Sequence, residues 1–148
     1  MLKINFSIFL ITIFFSQATF LKAEEKFLSL KKSKVNVRYG PSFEFPVKFI
    51  YKKKNLPIKQ IDKKENFRRI IDHKKNSGWI HISQLKKINS VISTKDKILF
   101  KNSTKFSEPL AKIREGRLLI IQKCEKEWCR VETEKIVGWV DKSGLWGL

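Results

Sequence analysis

Residues 67–85, FRRIIDHKKNSGWIHISQL, recur about sixty positions later as residues 128–145, WCRVETEKIVGWVDKSGL. In both copies an aromatic residue is followed by a basic and then an aliphatic residue, and a Gly-Trp-aliphatic sequence begins ten or eleven positions after the aromatic residue. This period is longer than the repeats of the common solenoids, which run to about 50 residues, and it fits a small β-domain used twice. The duplication therefore predicts two copies of one short-stranded unit.

The remainder of each copy has the pattern of short strands separated by turns. β-branched and aromatic runs bounded by Gly, Pro, Asn and Ser predict strands in the first copy, at residues 35–38, 47–51, 56–61, 67–71 and 78–82. The second copy repeats the plan from residue 98. Its residues 118–121 are all apolar, which predicts a strand that is bulged or buried on both faces. No long helical period occurs after residue 23, so an all-β fold is expected.

The amino terminus has the features of a secretory signal peptide. Lys3 precedes a short apolar stretch, and Ala23 stands just before two glutamates. This arrangement is typical of a cleaved signal, and a membrane span needs about 20 apolar residues. We expect cleavage near Ala23, a periplasmic location and no stable membrane span after cleavage; an uncleaved anchor is the alternative.

The predicted organisation follows from the signal and the repeat. Units of about sixty residues are marginally stable alone, so we expect the two copies to pack on each other or to need the cross-link that Cys124 and Cys129 supply. The connector is expected to add an edge strand that joins the units. The predicted segments are a signal peptide at 1–23, a polar lead-in at 24–34, a first domain at 35–85, a connector at 86–97 and a second domain at 98–148.

The net charge of +18 raises the question of a polyanionic partner. Only six of the 32 basic residues are arginine, the residue suited to bidentate recognition of phosphates and bases. Export also separates the chain from cytoplasmic nucleic acid. We therefore expect no specific nucleic-acid partner, and a lysine-driven interaction with anionic envelope polymers remains an alternative function.

The two cysteines, Cys124 and Cys129, flank four residues, a spacing that suits two strands meeting at a tight hairpin. An even cysteine count in an exported chain indicates a disulfide. A redox-active pair or half a metal site are the alternatives. Redox pairs usually have two intervening residues, and the chain offers no second pair of ligands for a metal.

The Gly-Trp pairs are expected to be structural. Gly78 and Gly138 give clearance where two backbones approach closely, and Trp79 and Trp139 are interpreted as core-filling residues, with ligand contact as the alternative. Trp128 lies beside Cys129, and we expect it to pack against the disulfide.

The opening of the first copy, Val-Asn-Val-Arg-Tyr-Gly-Pro-Ser at 35–42, and its closing Gly-Trp-Ile-His at 78–81 resemble the bacterial SH3-like domain. More narrowly, the chain from about residue 27 resembles secreted proteobacterial proteins with two such domains in tandem. The resemblance implies two tandem SH3-like small barrels that form an envelope binding or scaffolding module. The chain departs from the family pattern in two places: Phe67 stands where Trp is usual, and the second copy lacks the Arg-x-Gly-Pro opening.

The resemblance points to the loop after the first strand as the ligand surface, because an open SH3-like barrel presents its specificity loop there. Gly40 is suited to a positive φ and Pro41 fixes the turn. Aromatic residues on a rigid loop give contact area at low entropic cost. The candidate ligand residues are Arg38, Tyr39, Phe43 and Phe45.

No catalytic or metal motif is found. His73 and His81 lie away from any cysteine or carboxylate cluster, and no zinc signature, phosphate loop or serine-hydrolase elbow occurs. We therefore predict a non-enzymatic module without a cofactor that binds an envelope peptide, protein or peptidoglycan component. A structural subunit of a larger envelope complex is the remaining alternative.

Overall fold

The computed structural model describes residues 26–148, and the predicted signal peptide lies outside them. The described residues form fourteen β-strands and one 3₁₀ turn at Ile82–Gln84, with no α-helix among them. The all-β prediction is confirmed. No helix in residues 26–148 is long and apolar enough to cross a membrane.

Seven strands build the first unit. They are β1 (Lys26–Leu30), β2 (Val35–Arg38), β3 (Val47–Tyr51), β4 (Pro57–Lys64), β5 (Phe67–Ile71), β6 (Ser77–His81) and β7 (Leu85–Lys87). They form one sheet in the order β3-β2-β6-β5-β4-β1-β7. All five strands predicted in this unit are found, and β2, β3 and β5 have the predicted bounds.

The second unit repeats the first strand for strand. Its strands are β8 (Ser90–Ser93), β9 (Lys97–Phe100), β10 (Pro109–Ile113), β11 (Leu118–Glu125), β12 (Trp128–Thr133), β13 (Ile136–Asp141) and β14 (Leu145–Trp146). The sheet order is β10-β9-β13-β12-β11-β8-β14, which is the first order with every number raised by seven. The duplicated unit is therefore a complete seven-stranded sheet.

Each unit begins one strand earlier than predicted. The proposed polar lead-in contains β1, which pairs with β4 and β7 and buries Leu30 completely. The proposed connector contains β8, whose residues are all buried. As expected it adds a strand, but β8 lies between β11 and β14 and not at an edge. The prediction was wrong here because runs of four or five residues with polar neighbours become strands only through partners that are distant in sequence.

The same irregularity occurs in both units. The β4–β5 register shifts between Gln60 and Asp62, and the β11–β12 register shifts between Ile121 and Lys123. A bulge of this kind bends and twists a strand locally. The apolar strand of the second unit was predicted to be either bulged or buried on both faces, and the structure shows the bulge. The paired bulges align the two units residue by residue.

The units share a hydrophobic interface, as expected from their small size. Ile92 of β8 is buried in the core of the first unit, and Leu118 and Trp146 pack against that core. Val91, the neighbour of Ile92, is buried in the core of the second unit. Since successive side chains on a strand point to opposite faces, β8 contributes one face to each core. The Ser90 hydroxyl is also 3.0 Å from the Ser29 hydroxyl across this interface.

Candidate functional site

The loop of residues 39–46 joins β2 to β3 and exposes three aromatic rings. Tyr39 is 61% exposed, Phe43 62% and Phe45 44%. Gly40 is buried, and a Cβ there would lie 2.6 Å from the Phe45 ring. Gly40 is not among the residues with positive φ. Glycine is therefore needed to seat the Phe45 ring, and the sequence-based expectation of a left-handed turn is corrected.

Arg38 supports this loop from its base. Its Nη1 donates hydrogen bonds to the Phe43 carbonyl at 3.1 Å and to the Phe45 carbonyl at 2.7 Å. The guanidinium carbon also lies 5.4 Å from the centroid of the Phe43 ring. Hydrogen bonds from a charged donor are stronger than neutral ones. Arg38 thus fixes the backbone on both sides of Glu44.

Phe43 rests on two aromatic rings from other strands. Its ring centroid is 5.2 Å from that of Phe67 on β5 and 5.0 Å from that of His81 on β6, and Phe67 and His81 are 5.2 Å apart. Such edge and tilted contacts are favourable for aromatic rings. Phe67 is only 6% exposed. Phe43 is therefore an open ring on a buried aromatic base.

A groove of about 350 Å³ opens beside this aromatic cluster. Two carboxylates line it, Glu44 from the loop and Glu65 from the β4–β5 turn. Glu65 reaches that position because it takes a left-handed conformation, with φ 47°, in a two-residue hairpin turn. The remaining principal lining side chains are Phe43, Asn66, Phe67 and His81. A concave apolar surface with a few polar groups is the usual form of a small binding site. We call this cavity the aromatic groove.

Only one of the four predicted ligand residues lines the aromatic groove. Phe43 does, Arg38 lies beneath the loop, and Tyr39 and Phe45 are not among the lining residues. The Tyr39 ring has Lys48 Nζ at 5.6 Å from its centroid. Tyr39 is therefore an exposed ring on the strand side of the loop, apart from the groove.

Four groove residues lie outside the loop that the sequence predicted to bind. They are Glu65, Asn66, Phe67 and His81. Phe67 and His81 are opposite one another in the β5–β6 register. The loop residue Phe43 meets them only after β2 pairs with β6. Alternation along β5 and β6 could have predicted the pair, but not its contact with the loop.

The corresponding loop of the second unit, residues 101–108, has no such base. Phe106 is 99% exposed, and no ring contact of Phe106 is found among residues 26–148. The loop is closed by its own hydrogen bonds, including Ser107 N to the Thr104 carbonyl at 3.2 Å and Asn102 N to Ser107 Oγ at 2.9 Å. Phe106 and Phe43 therefore provide a matched exposed pair with different support.

Asp141 occupies in β13 the position that His81 occupies in β6. Its Oδ2 accepts a hydrogen bond from Lys97 Nζ at 2.9 Å, and Lys97 Nζ also donates to the Ser143 carbonyl at 2.7 Å. The Lys97 side chain is 1% exposed. Burial opposes ionisation of the Asp141 carboxyl, but hydrogen bonds from Ser143 and Lys97 outweigh burial and lower its pKa. This carboxylate is committed to an internal ion pair.

The structural predictions for the Gly-Trp pairs are half correct. A Cβ on Gly78 would lie 3.0 Å from the Arg38 carbonyl, and one on Gly138 would lie 2.7 Å from the Phe100 carbonyl, so the clearance role is confirmed. Trp79 and Trp139 are half-buried and belong to neither core. Core filling was wrong because the buried glycine and aliphatic neighbours of each tryptophan occupy the inner face of the strand.

The cysteine hairpin is as predicted. Cys124 on β11 and Cys129 on β12 are opposite in register and joined by a disulfide. Trp128 contacts Phe100, with ring centroids 6.0 Å apart. In the part of the chain that is described, no group of three or more His, Cys, Asp or Glu side chains could hold a metal ion.

Two segments, residues 31–87 and 98–147, match the sequence model of the bacterial SH3 domain. Bacterial SH3 domains are generally non-catalytic binding modules of the cell wall. No curated protein matches the chain.

Solved structures with a similar arrangement include NlpC2 and NlpC1 from Trichomonas vaginalis. Each is 10% identical, and the match covers 82% of this chain. The TM-scores are 0.38 and 0.37. The chain spans 48% and 45% of the length of those two chains, respectively.

Proposed function

The chain belongs to the bacterial SH3 domain family, and from that premise we propose that it is a non-enzymatic binding module of the cell envelope. Its ligand site is the aromatic groove of the first unit, and its ligand is a short peptide, either free, part of a protein, or part of peptidoglycan. The observation that carries this proposal is the Phe43 ring, 62% exposed yet held against Phe67, His81 and Arg38.

Fixed support makes an exposed ring an efficient contact. Binding is opposed by the entropy lost when side chains and loops become ordered, at about 0.5–1.5 kcal/mol for each immobilised side chain. The Phe43 ring and its backbone are already restrained by two aromatic contacts and by Arg38. Rigid aromatic anchors of this kind dominate binding energy in many interfaces.

The negative charge of the aromatic groove favours ligands that donate hydrogen bonds. Glu44 and Glu65 line it in a chain whose net charge is +18. Carboxylates accept hydrogen bonds from amines, amides and hydroxyls, and aromatic faces attract cations. A peptide segment with an amino-bearing side chain combines these features, whereas a polyanion is repelled by the two carboxylates.

Retention on purified sacculi and on immobilised peptides tests the proposal. Phe43→Ala removes the exposed anchor and should weaken retention at least about tenfold, the change that corresponds to about 1.4 kcal/mol. Phe106→Ala removes an even more exposed phenylalanine from the matching loop and should leave retention unchanged. Equal retention of both variants and the parent protein would contradict the assignment of the groove.

Export is part of the same proposal and has its own test. The apolar amino terminus and the disulfide of the second unit support a periplasmic location. Fractionation of cells followed by intact-mass measurement should give a periplasmic chain that begins near residue 24 and carries no free thiol. A cytoplasmic chain with an intact amino terminus would refute export.

A lysine-driven interaction with anionic envelope polymers is the second candidate. It is favoured by the exposed lysines at residues 31, 32 and 34, which form no ion pair within residues 26–148. Binding through counterion release weakens steeply between about 50 and 200 mM salt. If retention falls steeply over this range of salt and is unchanged by Phe43→Ala, the result would favour this candidate over binding in the aromatic groove.

A third reading is a structural subunit that braces a larger envelope complex. The shared core of the two units supports it, since Ile92, Leu118 and Trp146 join them into one body. Cross-linking in intact cells followed by mass spectrometry would identify the neighbouring protein. Cross-links confined to one surface of a single partner would favour this reading.

A further inference from the structure

A second cavity, of about 220 Å³, lies along strands β4, β1 and β7 of the first unit. Its rim carries four cationic side chains: Lys26, Arg68, Lys86 and Lys87. None of the residues within 26–148 that line it is acidic. We call it the cationic cavity, and it shares no lining residue with the aromatic groove.

A buried amide oxygen in this cavity has no hydrogen-bond partner among the described residues. Gln60 is only 3% exposed, lines the cavity, and its Oε1 makes no hydrogen bond. Leaving a buried polar group unpaired costs about 1–3 kcal/mol. Such an atom in a cavity is suited to accept a hydrogen bond from a ligand N–H or O–H group.

The fold itself does not require glutamine at this position. Gln60 immediately precedes the β4 bulge, and Ile121 immediately precedes the matching bulge in β11. Ile121 packs against the core of the second unit. The polar residue is therefore a local feature of the first unit and not a requirement of the repeated sheet.

The cations of the rim are available for a ligand. None of the ion pairs found within residues 26–148 includes Lys26, Arg68, Lys86 or Lys87. Arg68 uses Nη1 to donate to the Glu65 and Phe67 carbonyls, which holds the side chain in place. A cavity lined by cations that form no ion pair with the described residues attracts a carboxylate or a phosphate.

We propose that the cationic cavity binds the carboxyl-terminal residue of a peptide. The terminal carboxylate lies among the rim cations, the amide N–H of the last residue donates to Gln60 Oε1, and its apolar side chain contacts Leu28, Ile82 and Leu85. A simple anion would pair with the cations, but it would make no hydrogen bond to Gln60 Oε1 and no contact with the apolar side chains of the cavity. The volume lies below the range of about 300–1,000 Å³ typical of drug-sized ligands, which suits a single terminal residue.

The probe for this site is N-acetyl-alanyl-leucine, titrated into the protein purified after export and followed through backbone amide NMR signals. We expect saturable shifts at Gln60 and Leu85. The carboxamide of the same dipeptide should bind at least about tenfold more weakly, since it lacks the charge. Inorganic phosphate should cause no comparable shifts. Equal binding of the carboxamide, stronger binding of phosphate, or no shift at these residues would overturn the proposal.

Two variants locate the interaction. Gln60→Ile copies the residue at the equivalent position of the second unit, and Lys86→Gln removes one rim charge from an exposed edge strand. Each should weaken N-acetyl-alanyl-leucine binding at least about tenfold while preserving the rest of the amide spectrum. Lys126→Gln, a charge-matched control on the opposite unit, should bind as the parent does. Unchanged binding in both Gln60→Ile and Lys86→Gln would refute the site independently of the aromatic groove.

Discussion

His81 and Asp141 lie at equivalent positions in the two copies of the sheet, but their side chains make different contacts. In the first unit the His81 ring supports Phe43 at an open groove, and its Nδ1 is 2.8 Å from the Ser83 hydroxyl. In the second unit Asp141 pairs with Lys97, which stands where the first unit has the fully buried Val35. The same scaffold therefore uses this position to support an exposed aromatic loop in one copy and for an internal ion pair in the other.

The β4–β5 and β11–β12 hairpins differ in the same sense. In the second unit the opposed residues are Cys124 and Cys129, joined covalently. In the first unit the corresponding opposed residues are Lys63 and Arg68, two cations that face each other across the strands. Like charges directly opposite destabilise a strand pair. In the first unit this repulsion lies in the hairpin that supplies Glu65 to the groove. In the second unit the corresponding hairpin is stabilised by the disulfide.

The largest expected effect comes from breaking the ion pair of the second unit. Asp141→Ala leaves the Lys97 ammonium buried without its partner, and removal of one member of a buried pair costs about 3–5 kcal/mol. Because the Asp141 side chain is 31% exposed, we expect about 3 kcal/mol, measured by urea denaturation.

The matched control places the residues of the first unit at these two positions of the second. The double variant Lys97→Val with Asp141→His removes the buried charge together with its partner and should recover most of the lost free energy of unfolding. If Asp141→Ala cost less than 1 kcal/mol, the pair would not be an internal support of the second unit.

The disulfide should rank second. Replacing Cys124 and Cys129 by serine opens a very short loop, for which the chain-entropy estimate is roughly 2 kcal/mol. The loss should appear in the free energy of unfolding, with peptide retention by the first unit unchanged in native conditions. Lost retention in the folded variant would show that the second unit does more than support the first.

Arg38→Leu should reduce stability less than the loss of the disulfide does, and its main effect should be greater mobility of the loop of residues 39–46. Two hydrogen bonds to the Phe43 and Phe45 carbonyls are lost, at about 1 kcal/mol in total because the loop is solvent-accessible. Amide hydrogen exchange should accelerate in residues 39–46 but not in residues 101–108, whose own hydrogen bonds close that loop. Unchanged exchange in residues 39–46 would mean that Arg38 is not the support of the loop.

The pH dependence should be the smallest effect. The folded state lowers the pKa of Asp141, so its contribution to stability is complete above the ordinary carboxyl value of 3.8 and is lost as the pH falls through the lower folded value. The parent protein should therefore lose more stability in acid below about pH 4 than the Lys97→Val, Asp141→His variant does, by equilibrium denaturation at several pH values. A steeper acid loss in the double variant would contradict this assignment.

Sequence patterns predicted the features that depend on neighbours along the chain. The bounds of β2, β3 and β5, the bulge after Ile121 and the cysteine hairpin all follow from turn residues, branched residues and short spacing. The inward placement of Trp79 was wrong, because its neighbours Gly78 and Ile80 both face the core and leave Trp79 on the opposite face of the strand. The sequence pointed to the loop that borders the aromatic groove, but of its four candidate ligand residues only Phe43 lines that groove.

By itself the sequence determined the all-β class, the Gly-Trp clearance positions and the disulfide, because each depends on residues that are close together along the chain. It also determined the duplication, because two copies of one sequence pattern can be compared without knowing their contacts. Only the tertiary structure showed that β1 and β8 are the first strands of the two units and that β8 contributes to both cores. It alone also placed Phe43 against His81 and Gln60 in the cationic cavity. The physical reason is strand pairing at long range: β2 joins β6 and β1 joins β4 and β7. These pairings bring together side chains that are some thirty to sixty residues apart in sequence, and no local pattern records which of them will share a cavity.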